Sequence, residues 1–554
     1  MPETEAQHVP VAIVGGGPVG LMLALFLDRH GVKSVVFNSE PTVRAHPKGS
    51  THNSRSMEHY RRLGFAAQVR KLGLPDDHPT DSVYMTRLSG RELARLPMPS
   101  EAEKMRIVAA SSRTDQIVEP VHRANQMYVE ALLLERARAC ANIALRFGWN
   151  VDEFTQDNDG VTLRAQSADG RRQEWRANYL AGCDGGRSFV RRSLGIRYEG
   201  HAALKQEFFG QNMISTYFRA PTLYRDFLKH RRAWQYWVVN PELRTAVVAL
   251  DGKHEFILWS RQDNPDMPPD DGAIAQLVQR ATGAEIPVEI VAHGAWTGGV
   301  ALHAERFGEG RVWLAGDAVH LFTPTGGFGM NTGIDDAANL AWKLAAMLQG
   351  WGGPHLVESY AQERKPIAVR NTAASRALAK NIGDVKVPPE LEDDTPGGEA
   401  ARRKVGAFLA TFGEEFASIG VQLGARYDGS PIVAPDGAPP ADSFVAYTPS
   451  GVPGGRAPHV WLGDGRAHGD SLFDRLGVGF TLLRLGGKPA SAAPFEDAAR
   501  RRGVPLHVLE VADGETRELY ERDLVLIRPD QHVGWRGNAA PGDADALFAR
   551  LTGG

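Results

Sequence analysis

The sequence predicts a chain of mixed α/β and α+β class. It should hold a dinucleotide-binding α/β unit, an antiparallel sheet inserted within it, and a smaller α/β domain at the C-terminal end. Three observations predict this. Val11–Val14 is a run of branched apolar residues, suited to a strand buried on both faces, and it leads into Gly15, Gly17 and Gly20 at the spacing G-x-G-x-x-G and then an apolar helix. From about 197 to 290 the pattern becomes alternating and aromatic, as in AWQYWVVN and HEFILWS, which reads as antiparallel strands. Beyond an acidic, proline- and glycine-rich stretch at 387–401, strands and helices alternate again through FTLLRL, PLHVLEV and LVLIRP.

Bulk composition narrows the function classes. Basic residues number 63 and acidic residues 66, a net charge of -3, so there is no global field for nucleic acid or an anionic membrane. No apolar run approaches the roughly 20 residues of a membrane span. The polar, acidic N-terminus is unlike a secretory signal. Two cysteines, Cys140 and Cys183, cannot build a disulfide framework or a zinc site and are expected as buried thiols, so no metal is expected and a reducing cytoplasm fits.

Each glycine of the first turn has its own task. Gly15 permits the turn out of the strand, Gly17 lets a pyrophosphate approach the backbone, and Gly20 lets the helix pack on the strand. Pro18 and Val19 open that helix, whose free N–H groups suit phosphate. The second strand, VKSVVFNSEP, carries Asn38 where such folds usually place a ribose-binding acid, with Glu40 two residues on. Arg44, His46, Lys48, His52 and Arg55 make the next loop cationic, before a helix at Ser56–Leu63. Residues 81–112 read as strand and loop. A helix follows, with Arg123 and Gln126 in its first turn and Tyr128, Leu132, Leu133 and Ala137 on its inner face. Tyr179–Cys183 is a strand ending at the turn Asp184-Gly185-Gly186. Val312–Ala315 is another, ending at Gly316-Asp317, a glycine-rich loop and a long helix over Met330–Leu348. Asp335 and Asp336 sit near that helix's N-terminus, the favourable end for negative charge.

Three motifs stand in order: GGGPVG at Gly15–Gly20, CDGGRSFVR at Cys183–Arg191, and RVWLAGDAVHLFTPTGGFGMNTG at Arg311–Gly333. Together they resemble those of the single-component, FAD-dependent aromatic hydroxylases. The tail segments APHVWLGDGRAHGDSLFDRLGVGFTLL and LIRPDQHVGWRG are similar to the thioredoxin-like C-terminal domain of the phenol-hydroxylase-like branch. The resemblance spans nearly the whole chain. It implies a Rossmann-like FAD-binding domain in three parts (1–85, 113–196 and 291–386, the last with long helices), a substrate domain from 86–112 and 197–290, a linker at 387–401, and a thioredoxin-like domain at 402–554. That last domain lacks C-x-x-C, so it is expected to serve structure or an oligomer contact, and a homodimer is among the assemblies this allows.

By position, the resemblance implies that Gly15, Gly17 and Gly20 hold the FAD pyrophosphate, with Arg44 and Lys48 nearby. Asn38 replaces a ribose-binding glutamate. Gln126 meets the flavin side chain and Asp317 the ribityl hydroxyls. Met330 and Asn331 meet the isoalloxazine through their backbone, and Asp184 and Gly185 serve FAD and NAD(P)H. The chemistry implied is reduction of FAD by NADH or NADPH, uptake of O2, and delivery of OH to an aromatic ring through a flavin hydroperoxide. N–H groups of the loop carrying Pro324, Gly327 and Gly329 would face the reduced ring. Tyr217, Trp237, Trp296 and Phe322 are candidate substrate contacts, although one face of such a sheet must pack as core. His52 and His293 are candidate bases for a phenol, against their commoner role as structural histidines. Rival readings are a Baeyer–Villiger or epoxidising oxygenase on a polycyclic polyketide and a non-catalytic flavoprotein scaffold. The tryptophan motif W-x-W-x-I-P of flavin halogenases is absent.

Overall fold

The computed structural model describes residues 7–201, 212–262, 269–296, 300–383, 385–463, 470–487 and 490–554, and the side chains of 296, 381–383 and 414 lie outside the described set. The strand Gln7–Val14 sits at the centre of the first sheet. Parallel neighbours are Arg172–Gly182 on one side and Ser34–Asn38 on the other, with Val312–Leu314 and Ile143–Phe147 beyond them. Its inner residues Val11, Ala12 and Ile13 are wholly buried, as a strand covered on both faces requires. The helix Pro18–Arg29 covers one face and packs against the long helix Gly329–Leu348.

Register brings the three motifs together. Val14 pairs with Gly182, and Gly182 with Leu314, so three adjacent parallel strands end level. Beyond the ends, Gly15 N–H donates to Phe37 O at 2.8 Å, Cys183 N–H to Val14 O at 2.7 Å and Ala315 N–H to Gly182 O at 3.0 Å. All three glycine turns therefore open at the C-terminal edge of one sheet, where doubly wound folds bind ligands.

The second sheet has seven strands in the order Glu289–Trp296, Met213–Arg219, Glu255–Arg261, Arg244–Ala249, Gln235–Val239, Ser82–Met85 and Glu92–Leu96. This corrects the expected boundaries. The strand Ser82–Met85 belongs to this sheet rather than to the first domain, and so does the strand through residue 296. The segment expected as a linker begins the helix Pro396–Leu409, which packs on Glu92–Leu96 and buries Leu391, Ala401, Val405 and Leu409 against Tyr84 and Trp237. Residues 402–409 are thus a cover for the second sheet and not the start of the C-terminal domain. A capped helix, Glu101–Ala109, replaces the expected loop, and its Val108 joins the C-terminal domain's core. On the helix Gln126–Ala139 the buried face is Val129, Leu133, Leu134 and Ala137, with Tyr128 and Leu132 at its margin. Both cysteines are half-buried rather than buried.

The last sheet runs Leu506–Val511, Phe480–Leu485, Leu524–Ile527, Val533–Gly537, with one parallel pair and two antiparallel pairs, the arrangement the resemblance implies. It is fastened to the first domain by buried charge. Arg456 pairs with Glu58, and Arg55 reaches Gln531 Oε1 and Asp530 O, each at 2.9 Å. Arg528 and Lys343 share Glu363, each with a contact of 2.6 Å. Beside them, Arg364 bridges Asp335 and Asp336. Burial opposes ionisation of these two aspartates, but Arg364 with His59 and Arg55 at Asp335, and His320 with Arg364 at Asp336, outweigh it and hold both below the usual carboxylate range.

A buried charge stripped of its partner is costly, so Arg364→Met is expected to lose about 3–5 kcal/mol in denaturant unfolding. Because the folded chain keeps these carboxylates ionised where the unfolded chain binds protons, stability is expected to fall as pH drops below about 4. In Arg364→Met the acid-unfolding midpoint should move to higher pH.

Candidate active site

The level strand ends open into one cavity of about 1060 Å3 that runs from the first glycine turn to the second sheet. Its first end is built by backbone. Gly15 has φ +112°, and a Cβ there would lie 2.2 Å from Cys183 O; a Cβ on Gly20 would lie 1.9 Å from Gly15 O. Gly17, in contrast, has nothing within 4 Å of its Cβ position, and the helix after it has no side-chain cap. Free N–H donors and empty space at a helix start suit a pyrophosphate. Gly15, Gly17, Pro18 and Val19 line the cavity, whereas Gly20 stays behind the turn.

Asn38 also lines it, but its side chain is committed to the loop. Its Oδ1 accepts Gly16 N–H at 3.1 Å and its amide donates to Glu40 O at 3.1 Å. Arg44 and Lys48 are exposed at the rim. Gln126, buried at the start of its helix, donates to Glu130 Oε1 at 2.5 Å, and burial raises the Glu130 carboxyl above its ordinary range. Asp184 accepts from Ser188 Oγ, the cap of the helix Phe189–Ser193, and from Val190 N–H in its first turn, while it and Gly185 face the cavity. Asp317 projects exposed from a single 3-10 turn, which Asp336 fixes from behind by accepting Gly316 N–H at 3.2 Å and His320 Nε2–H at 2.6 Å.

The middle of the cavity is the loop through Pro324, Gly327 and Gly329 to Met330. Gly326 and Gly327 adopt φ of 80° and 66°, which only glycine takes without strain. Asn331 is outside the cavity wall: its amide donates to Gly327 O at 2.6 Å and Thr51 O at 2.9 Å, so it braces the loop from below.

At the far end the walls are aromatic. Ser215, Trp259, Ala246, Trp237 and Tyr84 form one cross-strand row, and Trp237, Trp259, Trp234, Phe322 and Phe416 face the cavity. Tyr217 does not: it donates to Glu255 Oε1 at 2.7 Å and sits in the sheet core. The side chain of Trp296 lies outside the described residues. Neither histidine expected as a base stands in the wall. His52 is wholly buried, with Nδ1 on Tyr60 Oη and Nε2 on Ala124 O, each at 3.1 Å, and burial pulls its pKa down to about 3. His293 turns to Asp271, 3.1 Å away. Residues the sequence reading left out are Arg123 and Glu130 as wall residues, and Glu415 with Phe416. The last two follow the helix Pro396–Leu409, of which only the first turns fall in the stretch expected as a linker.

The cavity thus joins a phosphate-suited glycine turn, a glycine-rich loop at a helix start and a chamber walled largely by aromatic rings. Among the described residues no helix is long and apolar enough to cross a membrane. Residues 8–375 match the FAD binding domain family, and residues 450–553 match the family described as aromatic-ring hydroxylase, C-terminal. The chain is 32% identical to the FAD-dependent monooxygenase apdD of Emericella nidulans, over 100% of this chain and 92% of the relative. It is 33% identical to aklavinone 12-hydroxylase RdmE of Streptomyces purpurascens, over 97% of each. Among solved structures, the rebeccamycin biosynthetic enzyme RebC with reduced flavin superposes with a TM-score of 0.88 at 34% identity, over 99% of this chain and 100% of that one.

Space at Gly17 separates folding from cofactor binding. Gly17→Ala is expected to change unfolding free energy by less than about 0.5 kcal/mol while weakening FAD binding at least about tenfold. Gly20→Ala should destabilise the fold itself. Thermal melts beside FAD titration of the apoprotein check both.

Proposed function

The chain belongs to the FAD-dependent aromatic-ring hydroxylases, and from that membership we propose that it hydroxylates a phenolic ring with O2 at the expense of NADH or NADPH. The observation that carries this reading is the continuity of the cavity, from the open space at Gly17 to the chamber lined by Trp234, Trp237 and Trp259. When bound, FAD supplies the redox and oxygen chemistry; the protein supplies position, electrostatics and dryness.

The residues divide the work. Gly15, Gly17 and the Val19 N–H at the helix start would hold the pyrophosphate. Asn38 fixes the glycine loop through Gly16, leaving the adenosine ribose to other groups. Arg44 and Lys48 face the phosphates from the rim. Asp317 accepts hydrogen bonds from the ribityl hydroxyls, with its turn held by Asp336. Gln126 orients the flavin side chain, and Asp184 and Gly185 border the path for both nucleotides. Backbone N–H groups at Gly329 and Met330, on a loop that Asn331 braces through Gly327 O, would face the ring and favour negative charge there. Phe322 and Trp237 confine the substrate. Two unpaired cysteines suit a cytoplasmic enzyme. A homodimer is part of the same proposal, and light scattering at twice the chain mass of 60.3 kDa is the outcome that supports it.

Oxygenation of a larger polycyclic ring system is the second reading. It is favoured by the similarity to an aklavinone hydroxylase and to RebC, solved with bound 7-carboxy-K252c.

Purified holoenzyme is expected to consume NAD(P)H faster in the presence of a phenolic or polycyclic phenol, with one hydroxylated product per NAD(P)H by mass spectrometry. A ring-expanded or epoxide product would select the oxygenase alternative, and no oxygen uptake with any aromatic compound would select the scaffold. Asp317→Ala should cost about 1.5–3 kcal/mol of FAD affinity, read as lost flavin absorbance after gel filtration. Full retention of flavin in that variant would count against the assignment.

A further inference from the structure

The wall between the glycine loop and the aromatic chamber carries two groups of opposite charge that neither the FAD turns nor the sheet core require. Glu415 follows the helix covering the second sheet and faces the cavity. Its Oε1 accepts Gly326 N–H at 3.2 Å, and Oε2 has no hydrogen bond among the described residues. Arg123, 6% exposed, lies on the short strand that pairs with Thr51–His52 and also lines the cavity. Its guanidinium lies 3.9 Å over the Trp234 ring and 6.0 Å from that of Phe416, and donates to Thr51 Oγ1 and Met98 Sδ. Among the described residues it has no ion pair, and its Nε is buried without a partner. A buried cation held in no ion pair is costly, and the carboxylate whose charge acts on it is Glu415 in the same wall.

We propose that Glu415 and Arg123 receive the acidic hydroxyl of the substrate, Glu415 as the base that takes its proton and Arg123 as the cation that faces the resulting phenolate. The inference rests on the phenolic reading above and names the residues that enforce it. The O–H bond breaks, the proton goes to a Glu415 carboxylate oxygen, the electron pair stays on the ring oxygen, and nothing is oxidised. The phenolate raises electron density on the ring that is to accept an electrophilic oxygen. The groups facing Glu415 are the Gly326 N–H from the glycine loop, Arg123 from its strand and the Tyr84 hydroxyl from the second sheet. Burial raises the Glu415 carboxyl to about 7, against the opposing pull of Gly326 N–H and Arg123. It therefore changes charge near neutrality, where a general base is most useful.

Glu415→Gln separates this role from a structural one, since an amide oxygen still accepts Gly326 N–H but cannot take a proton. In FAD-loaded enzyme, 4-nitrophenol is the probe. At about pH 7, wild type should bind it with a larger ionised fraction than the free probe shows at the same pH, and Glu415→Gln should lower the ionised fraction of bound probe at least about tenfold with FAD content unchanged. Turnover on a hydroxylated phenol should fall about 100-fold, and the rise in rate through neutral pH should vanish. Arg123→Met should weaken binding of the ionised probe more than the neutral one. Stability gives an independent reading. The folded chain binds the Glu415 proton more tightly than the unfolded chain, so wild-type stability should fall as pH rises from about 4.5 through about 7, and that slope should disappear in Glu415→Gln. Failure to bind 4-nitrophenol, or an unchanged bound spectrum and pH profile in the variant, would overturn the proposal. Ionisation of the bound probe without hydroxylation of any phenol would instead count against the phenolic reading alone.

Discussion

Arg364, set between Asp335 and Asp336, is the contact on which the site's construction depends. All three are buried, and each carboxylate does a second job. Asp336 accepts the Gly316 N–H and the His320 ring, which fixes the turn that displays Asp317. Asp335 accepts from His59 and Arg55, which fixes the helix Ser54–Arg62 against the long helix Gly329–Leu348. Arg364 also donates to Thr332 O, one turn into the helix that begins at Gly329. Net stabilisation from such buried pairs is modest once desolvation is counted. What they contribute here is position, because each partner has one arrangement that satisfies every charge.

The same logic explains the C-terminal domain. With no C-x-x-C it has no thiol chemistry, yet its Arg456, Arg528 and Asp530 each enter a buried network with the first domain. Trp342 of the long helix stacks on Trp351 and meets Phe480 of the C-terminal sheet. The domain therefore acts as a clamp behind the helices that carry the glycine–aspartate turn, at a distance from the cavity wall.

Chemistry in the cavity depends on a graded environment. At the glycine turns the wall is backbone, and a single Cβ decides whether there is room. At the second sheet the wall is largely aromatic, and beside such apolar surface a fixed dipole or charge counts for more. Between them the loop through Gly326 and Gly327 presents N–H groups, with Asn331 and Glu415 holding it from either side.

Much of this was legible in the chain itself. The G-x-G-x-x-G turn, Asp184-Gly185 and Gly316-Asp317 each announce a strand end followed by a tight turn, because only glycine tolerates those torsions and approaches. The strand–helix alternation of the tail likewise announced a small α/β domain, though not that two of its three strand pairs run antiparallel. Local pattern could not say which face of a strand is wet, so Tyr217 and Trp237 looked alike although one holds Glu255 and the other faces the cavity. Nor could it show that His52 is sealed in the core, or that a proline- and acid-rich stretch folds as the helix Pro396–Leu409 and delivers Glu415 to a wall built nearly three hundred residues earlier around Arg123. Short-range spacing determines turns and periodicity. Which side chains share a cavity is decided by sheet register and by buried charge between distant segments, and those exist only in the folded chain.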